Sequence, residues 1–341
     1  MSPPYFFFNE SDSRMTVLNP SHPTSRPGLD ATPARPRRLP MDLLVHGFVA
    51  LCALLIVVLL AGLFVELVVG SRLAMKTLGW RFLTSNAWNP VTGRFGVLSS
   101  LFGTLVTTVI ALALAIPLSV VIALFLVELA PPRVATLVGG AIELLAAIPS
   151  IIFGMWGLFL FAPFMSDHVQ PWLQRYTGGL PLFSGPPMGV GMLTAGLVLA
   201  LMVLPFVTAI TRDVFRMVPG VLRESAYGLG ATTSEVTRKV TLPFAMPGIM
   251  GACFLGLGRA LGETMAVTFV IGNDHKISGS LFAAGNTIAS TLANEFSEAS
   301  EPLYLSALIE LGLVLLVITF LVQILAQLWL NWMGRGQEGG R

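Results

Sequence analysis

Two ionisable residues inside a long apolar run could act on an anion. Arg259 and Glu263 both lie in the block from Pro247 to Gly272, four residues apart. In a helix this spacing places two side chains on one face, one turn apart. An arginine can bind two oxygens of an oxyanion, and a neighbouring carboxylate can accept a hydrogen bond from a protonated oxygen. We therefore predict that both residues line an anion path, the alternative being a structural ion pair.

Three further carboxylates lie in apolar blocks. A charged side chain at the centre of a membrane helix costs about 2.5–3.5 kcal/mol on insertion scales, so each needs an explanation. We interpret Glu66, Glu143 and Glu310 as structural. Glu66 and Glu143 are expected near membrane faces or helix contacts, and Glu310 is expected to pair with a residue of another helix.

The elements that position these charges are six apolar blocks. The chain has 341 residues, of which 54% are hydrophobic and 11% charged, and its mean hydropathy is +0.79. Soluble domains carry roughly 25% charged residues, and about 18 apolar residues suffice to cross a bilayer core. We predict an all-α integral membrane protein with six transmembrane helices, near Leu43–Val69, Val97–Val127, Ala135–Met165, Gly189–Thr211, Pro247–Gly272 and Leu303–Met333.

The chain ends and the distribution of positive charge suggest the organisation around this membrane domain. Residues 1–40 are rich in Pro and predict a disordered tail, residues 41–334 the membrane domain, and residues 335–341 a second tail. Thirteen Lys and Arg residues lie in the tails and the segments after the second and fourth blocks, against six on the other side. By the positive-inside rule both termini and the loop 212–246 are predicted to be cytoplasmic.

The loop between the fourth and fifth blocks holds a long polar run, ESAYGLGATTSEVTRKVTLP, from Glu224 to Pro243. Pro219-Gly220 favours a helix start, and Gly230 can supply the positive φ that ends this helix. Thr232 and Glu235 have the spacing of a capping box for a second short helix, which Leu242-Pro243 should stop. The pattern predicts a helix–turn–helix elbow that exposes three apolar anchors, Tyr227, Leu229 and Val236; a solvated loop without a partner is the alternative.

Several functions lack the residues they require. None of the three lysines follows a glycine, so the chain cannot supply a phosphate-binding P-loop for nucleotide. There is no clustered basic surface for nucleic acid. Cys52 and Cys253 lie in separate apolar runs, from which we infer neither a disulfide nor a metal site. No catalytic residue is predicted, no cofactor is expected on this chain, and energy must come from another subunit.

The elbow resembles the EAA signature of bacterial ABC importer permeases. The matching residues are Glu224, Ser225, Ala226, Gly230, Val240, Leu242 and Pro243, with Ser225 in place of the middle Ala. The resemblance implies the type I ABC importer permease fold. It also implies that the elbow is a coupling element resting in a groove of a separate ATPase subunit.

Two apolar runs resemble the PstC family of phosphate-importer permeases. They are GLGRALGETMAVTFVIGN, Gly256 to Asn273, and AAIPSIIFGMWGLFLF, Ala146 to Phe161; Met265-Ala266-Val267 favours this family over the sister family PstA. The resemblance implies a bacterial inner-membrane complex with PstA, two PstB ATPases that use ATP, and a phosphate-binding protein PstS, surrounded by membrane lipid. It implies phosphate as the ion at Arg259 and Glu263.

Other readings stay open at this point. A permease of the same architecture could carry sulfate, molybdate or an organic solute. A secondary transporter or membrane enzyme would show inverted repeats or clustered catalytic groups, and the sequence has neither feature.

Overall fold

The computed structural model describes residues 40–177 and 180–338 of the chain. Within these ranges the chain is helical and forms no β-strand, which confirms the predicted all-α class. The predicted tail 1–40 lies outside the described residues except for Pro40, and of the predicted tail 335–341 the last three residues also lie outside them. The boundaries of these two tails remain predictions.

The described chain forms one short 3-10 helix, Pro181–Phe183, and twelve α-helices, some of which contain π-helical turns. They are α1 Pro40–Gly70, α2 Arg72–Leu78, α3 Arg81–Thr84, α4 Leu98–Leu129, α5 Pro132–Ala146, α6 Ser150–Tyr176, α7 Met192–Arg216, α8 Gly220–Gly228, α9 Thr233–Leu261, α10 Met265–Thr268, α11 Ile288–Glu295 and α12 Pro302–Glu338.

Six of these helices are long and apolar enough to cross a membrane, namely α1, α4, α6, α7, α9 and α12. This confirms the predicted number of membrane helices. The described residues divide into two units, one that ends at Leu59 and one that begins at Leu60.

The third apolar block is not one helix, contrary to the prediction for Ala135–Met165. It divides into α5 and α6, with Pro149 in an extended conformation between them. A proline disfavours helical backbone at the residue before it, so α5 ends short of Pro149 and the membrane helix begins at Ser150. Glu143 therefore belongs to a separate helix outside the membrane spans.

The fifth membrane helix begins and ends earlier than the sequence suggested. Leu242-Pro243 does not stop a short helix, because α9 runs without interruption from Thr233 to Leu261. A π-helical turn, Thr237–Thr241, directly precedes Leu242-Pro243 and accommodates the missing proline N–H. Beyond Leu261 the predicted block leaves the helix, and α10 forms only a short separate turn.

The core of the bundle is built around α7, which packs against α4, α5 and α9. Small residues allow this approach: a methyl group added at Gly196 would lie 2.6 Å from the Ile110 side chain, and one at Gly256 would lie 2.6 Å from Val207. Ala252 and Gly256, four residues apart on α9, are both buried, as a small-xxx-small contact between helices requires. Dispersion contacts across close-packed backbones hold helices together in lipid, where the hydrophobic effect contributes little.

A buried polar network joins the loop that follows α10 to the start of α12. The Asn286 amide donates to His275 Nδ1 at 2.8 Å, which leaves His275 Nε2 to donate to Glu295 Oε1 at 2.9 Å. Glu295 Oε2 also accepts from the Trp88 indole and, at 2.8 Å, from the Tyr304 hydroxyl. Burial by itself would raise the pKa of Glu295, but the hydrogen bonds from His275, Tyr304 and Trp88 outweigh it and lower the pKa.

We expect the substitution Glu295→Gln to lower the thermal stability of the protein near neutral pH. A carboxylate whose folded pKa is lowered stabilises the fold above its unfolded pKa, and this contribution is lost as pH falls through the folded value. The apparent melting temperature should drop by about 3 °C at pH 7, for a loss of about 1 kcal/mol. The difference in melting temperature should shrink as the pH falls below 4.5, the ordinary pKa of a glutamate side chain. Exposed Glu298→Gln is the control, and equal melting temperatures of wild type and Glu295→Gln at pH 7 would contradict the expectation.

Candidate functional site

The elbow consists of α8, the turn after it and the first turn of α9. α8 starts at Gly220 directly after Pro219, and Gly230 has φ +84°, both as predicted. The capping box is also present: Thr232 Oγ1 accepts from Glu235 N at 3.4 Å, and Glu235 Oε2 accepts from Thr232 N at 3.0 Å. The second arm of the elbow is thus the end of a membrane helix. The predicted loop 212–246 includes parts of α7 and α9, and only residues 217–232 lie between them.

The signature residues of the elbow lie on its open side or around its groove. Glu224 and Ser225 are exposed, and Ala226 and Gly230 border a cavity of about 350 Å³ between the arms. Leu229 is 90% exposed and Tyr227 44% exposed, as expected of docking anchors. The prediction for Val236 was wrong, because this residue is fully buried where α8 and α9 meet.

A partly buried arginine attaches the elbow to two membrane helices. Arg223 Nη2 donates to the Phe215 carbonyl at 2.6 Å and lies 3.3 Å from Glu128 Oε1. The Arg223 side chain is 22% exposed and the Glu128 side chain only 6%. Phe215 belongs to the last turn of α7, and Glu128 to the π-helical turn that ends α4. No sequence pattern indicates this pair beyond the position of Arg223 next to Glu224, because the two partners are 95 residues apart.

A second ion pair joins α7 to α5. Arg212 Nη2 lies 2.5 Å from Glu143 Oε1, and the Arg212 side chain is 7% exposed. The guanidinium crosses Gly139, where an added methyl group would lie 2.5 Å from Arg212 Nη1. The hydrogen bond from Arg212 lowers the pKa of Glu143. The expected structural role of Glu143 at a helix contact is thereby confirmed.

Arg259 and Glu263 do not share a helix face, contrary to the prediction. Arg259 lies in the last turn of α9, whereas the helix ends at Leu261 and Gly262 occupies its C-cap. Glu263 follows that end, and its Oε1 accepts the Ala266 N–H at 3.1 Å, which caps α10. The Arg259 guanidinium lies 5.3 Å from the ring centroid of Phe206 on α7. The two charges form no ion pair with any residue that the structure describes.

The break between α9 and α10 interrupts the fifth apolar block in its middle. Irregular backbone at membrane depth is tolerated only where protein covers it or where it lines a cavity. Thr264 Oγ1 donates to the Gly262 carbonyl at 3.3 Å. Gly262, Thr264 and Met265 also border a cavity of about 470 Å³ together with residues of α11 and α12. Arg259 is exposed beside this break, and its guanidinium donates no hydrogen bond to any residue of 40–177 or 180–338.

The two other predicted membrane carboxylates differ in their surroundings. Glu66 lies exposed on α1. Glu310 is 6% exposed on α12, and its carboxylate forms no hydrogen bond or ion pair with the described residues. The expected partner on another helix is therefore absent from residues 40–177 and 180–338. The same residues contain no cluster of three metal-ligating side chains. The absence of a metal site stays a prediction.

Comparisons with solved structures show the fold. The permease of a bacterial ABC transporter that imports the acidic polysaccharide alginate superposes with a TM-score of 0.59, at 15% identity, over 85% of this chain and 96% of that chain. The same transporter bound to its periplasmic protein gives a TM-score of 0.58 at 16% identity. The expected ABC importer permease fold is confirmed.

Comparisons with sequences show the family. Residues 115–333 match the family described as binding-protein-dependent transport system inner membrane component. The phosphate transport system permease protein PstC of Mesorhizobium japonicum is 52% identical over 92% of this chain and 96% of its own. PstC of Pasteurella multocida is 52% identical over 84% and 91%, and PstC 1 of Mycobacterium tuberculosis is 42% identical over 74% and 77%. The chain therefore belongs to the binding-protein-dependent inner-membrane components, and within them to the PstC permeases.

Proposed function

We propose that this chain is the permease subunit of an ATP-driven phosphate importer. The observation that carries the proposal is the 52% identity to a phosphate permease over 92% of the chain. The chain forms the translocation path with a sister permease of the PstA type. Two PstB-type ATPases bind beneath it and use ATP, and a PstS-type protein delivers phosphate. This chain holds no cofactor of its own.

The membrane orientation follows from the task of the elbow. An ATPase acts in the cytoplasm, so the elbow faces the cytoplasm, and six membrane helices place both termini on that same side. The excess of Lys and Arg on this side agrees with the positive-inside rule. Sulfate, molybdate and a secondary-transport mechanism are less well supported, since the relatives reported above are phosphate permeases of the ABC class.

The elbow supports a direct mechanical link from ATPase to ion path. α8 rests in the ATPase groove through its exposed apolar residues. A displacement of α8 pulls on α4 and α7 through the partly buried Arg223. It also moves α9, whose first turn forms the second arm of the elbow. From Pro243 to Arg259 the helix spans about 24 Å at 1.5 Å per residue, so motion reaches the ion path without an intervening loop.

Arg259 and Glu263 contact different groups of the phosphate ion. Near neutral pH phosphate is both an anion and a proton donor. Arg259 attracts the anion with its free N–H donors, and Glu263 accepts the hydrogen bond of the P–OH group. Sulfate has no such proton, so it would face a desolvated acceptor without a partner. Phe206 competes for the guanidinium through a cation–π contact, which keeps binding weak enough for release.

Replacing Arg259 tests the ion path. We expect Arg259→Gln to lower the uptake of radiolabelled phosphate by about 100-fold, the loss of roughly 2.7 kcal/mol of charge stabilisation, while the four-subunit complex still assembles. Arg175→Gln, at an exposed arginine near the end of α6, is the control. Competition by sulfate and molybdate in the same assay reports the substrate. Normal phosphate uptake by an assembled Arg259→Gln complex would exclude this assignment.

A charge in the docking surface tests the elbow. We expect Leu229→Asp to abolish co-purification of the ATPase, because the substitution places a carboxylate where an apolar side chain is desolvated on binding. The control is Val91→Asp, since Val91 is 96% exposed and lies in the loop before α4, far from the elbow in sequence. Retention of the ATPase at wild-type levels by Leu229→Asp would rule out this docking mode.

The pair of Arg223 and Glu128 tests transmission separately from docking. We expect Glu128→Gln to keep the ATPase bound but to lower phosphate uptake about tenfold, which corresponds to about 1.4 kcal/mol of coupling. The control is Asp274→Asn, which removes a carboxylate that lies 4.0 Å from Lys276, far from the elbow in sequence. Uptake per ATP hydrolysed is the measurement. Unchanged stoichiometry and rate in Glu128→Gln would show that the pair only stabilises the fold.

A further inference from the structure

A cavity of about 610 Å³ has neither Arg259 nor Glu263 among its lining residues. It lies between α2, α3, the start of α4 and α12. Its walls are almost entirely apolar and include Met75, Trp80, Leu83, Leu101, Leu313 and Val317. Trp80 is 84% exposed at the rim, as is typical of a tryptophan at a membrane interface. A volume of this size accommodates a small amphiphile.

One carboxylate faces this apolar space. Glu310 is the only ionisable residue among those that line the cavity, and it is 6% exposed. Its Oε2 has no hydrogen-bond partner in the described chain. An isolated carboxylate in an apolar environment is expensive unless a donor reaches it. The site therefore requires a ligand that carries N–H or O–H donors on an otherwise apolar body.

Two positively charged residues are the sequence neighbours of residues that line this cavity. Lys76 follows Met75, and Arg81 follows Trp80. Both side chains are exposed and neither forms an ion pair with a described residue. A buried carboxyl group in the lining and two exposed cations adjacent to the lining in sequence are together the complement of a zwitterion.

We propose that this cavity binds one phosphatidylethanolamine molecule from the outer leaflet. The primary ammonium donates to the Glu310 carboxylate, an acyl chain fills the apolar walls, and the lipid phosphate pairs with Lys76 or Arg81. Phosphatidylcholine carries the same phosphate but its quaternary ammonium has no N–H to donate. The site consequently selects between two zwitterionic lipids by hydrogen bonding rather than by charge.

The test uses the complete importer, purified in detergent and titrated with lipids of identical acyl chains under native mass spectrometry. We expect wild type to bind one phosphatidylethanolamine at least fivefold more tightly than phosphatidylcholine, with the singly and doubly methylated lipids in between. Glu310→Gln should reduce the preference to less than twofold. Glu66→Gln, which removes an exposed membrane carboxylate outside the cavity, should keep it. The double variant Lys76→Gln/Arg81→Gln should weaken the binding of both lipids equally, because phosphatidylethanolamine and phosphatidylcholine carry the same phosphate.

Two results would overturn the proposal. One is equal binding of the two lipids by wild type, which would show that Glu310 selects no ammonium. The other is a cross-link from Leu313→Cys to the sister permease without any lipid preference, which would show that a protein side chain covers the carboxylate. The methylated series on wild type decides the question even if Glu310→Gln does not assemble. These outcomes are independent of phosphate uptake.

Discussion

Inside a bilayer no water is available for the hydrogen bonds of the backbone, and the architecture of this chain follows from that constraint. It keeps α9 unbroken from Thr233 to Leu261, even though Pro243 and Pro247 both interrupt its hydrogen-bond ladder. The π-helical turn before Pro243 is the local adjustment that makes this continuity possible. As a result the elbow and Arg259 lie at the two ends of one continuous helix. Where the helix finally ends, Glu263 and Thr264 satisfy the backbone around the break.

Charge is treated differently at the ends of the bundle and in its interior. Near the elbow two arginines of low exposure are paired, Arg212 with Glu143 and Arg223 with Glu128. Removing one partner of such a pair leaves an uncompensated charge, so these contacts hold α5 and α8 in fixed positions. Farther along the helices Arg259 lies beside an aromatic ring, and in the described chain neither Arg259 nor Glu310 forms an ion pair. The paired charges join helices, whereas these two unpaired charges are the ones for which we propose a ligand.

Local sequence patterns were sufficient to predict the turns and caps of the elbow, but not the helix break at Pro149 or the contacts between helices. The start at Gly220, the positive φ of Gly230 and the capping box at Thr232 depend on neighbouring residues and were all predicted correctly. The break at Pro149 is a local effect as well. It was not predicted, because the sequence is apolar on both sides of it and hydropathy therefore indicated one helix. The burial of Val236 depends on the packing of α8 against α9, and the pairing of Arg223 depends on the position of α8 beside α4 and α7. The capping and turn patterns of the elbow do not encode such contacts.

The sequence by itself determined the class of the protein, the six membrane helices, the elbow and the family, because hydropathy, capping and signature residues act over a few turns of one segment. Tertiary structure decided which charges meet. Arg259 and Glu263 are four residues apart in the sequence. Because α9 ends before Gly262, the two side chains do not share a helix face. Arg223 and Glu128 are far apart in the sequence, but helix packing brings Arg223 Nη2 to 3.3 Å from Glu128 Oε1. The physical reason is that an ion pair depends on positions in space, and those positions are set by helix ends and packed surfaces that no single segment specifies.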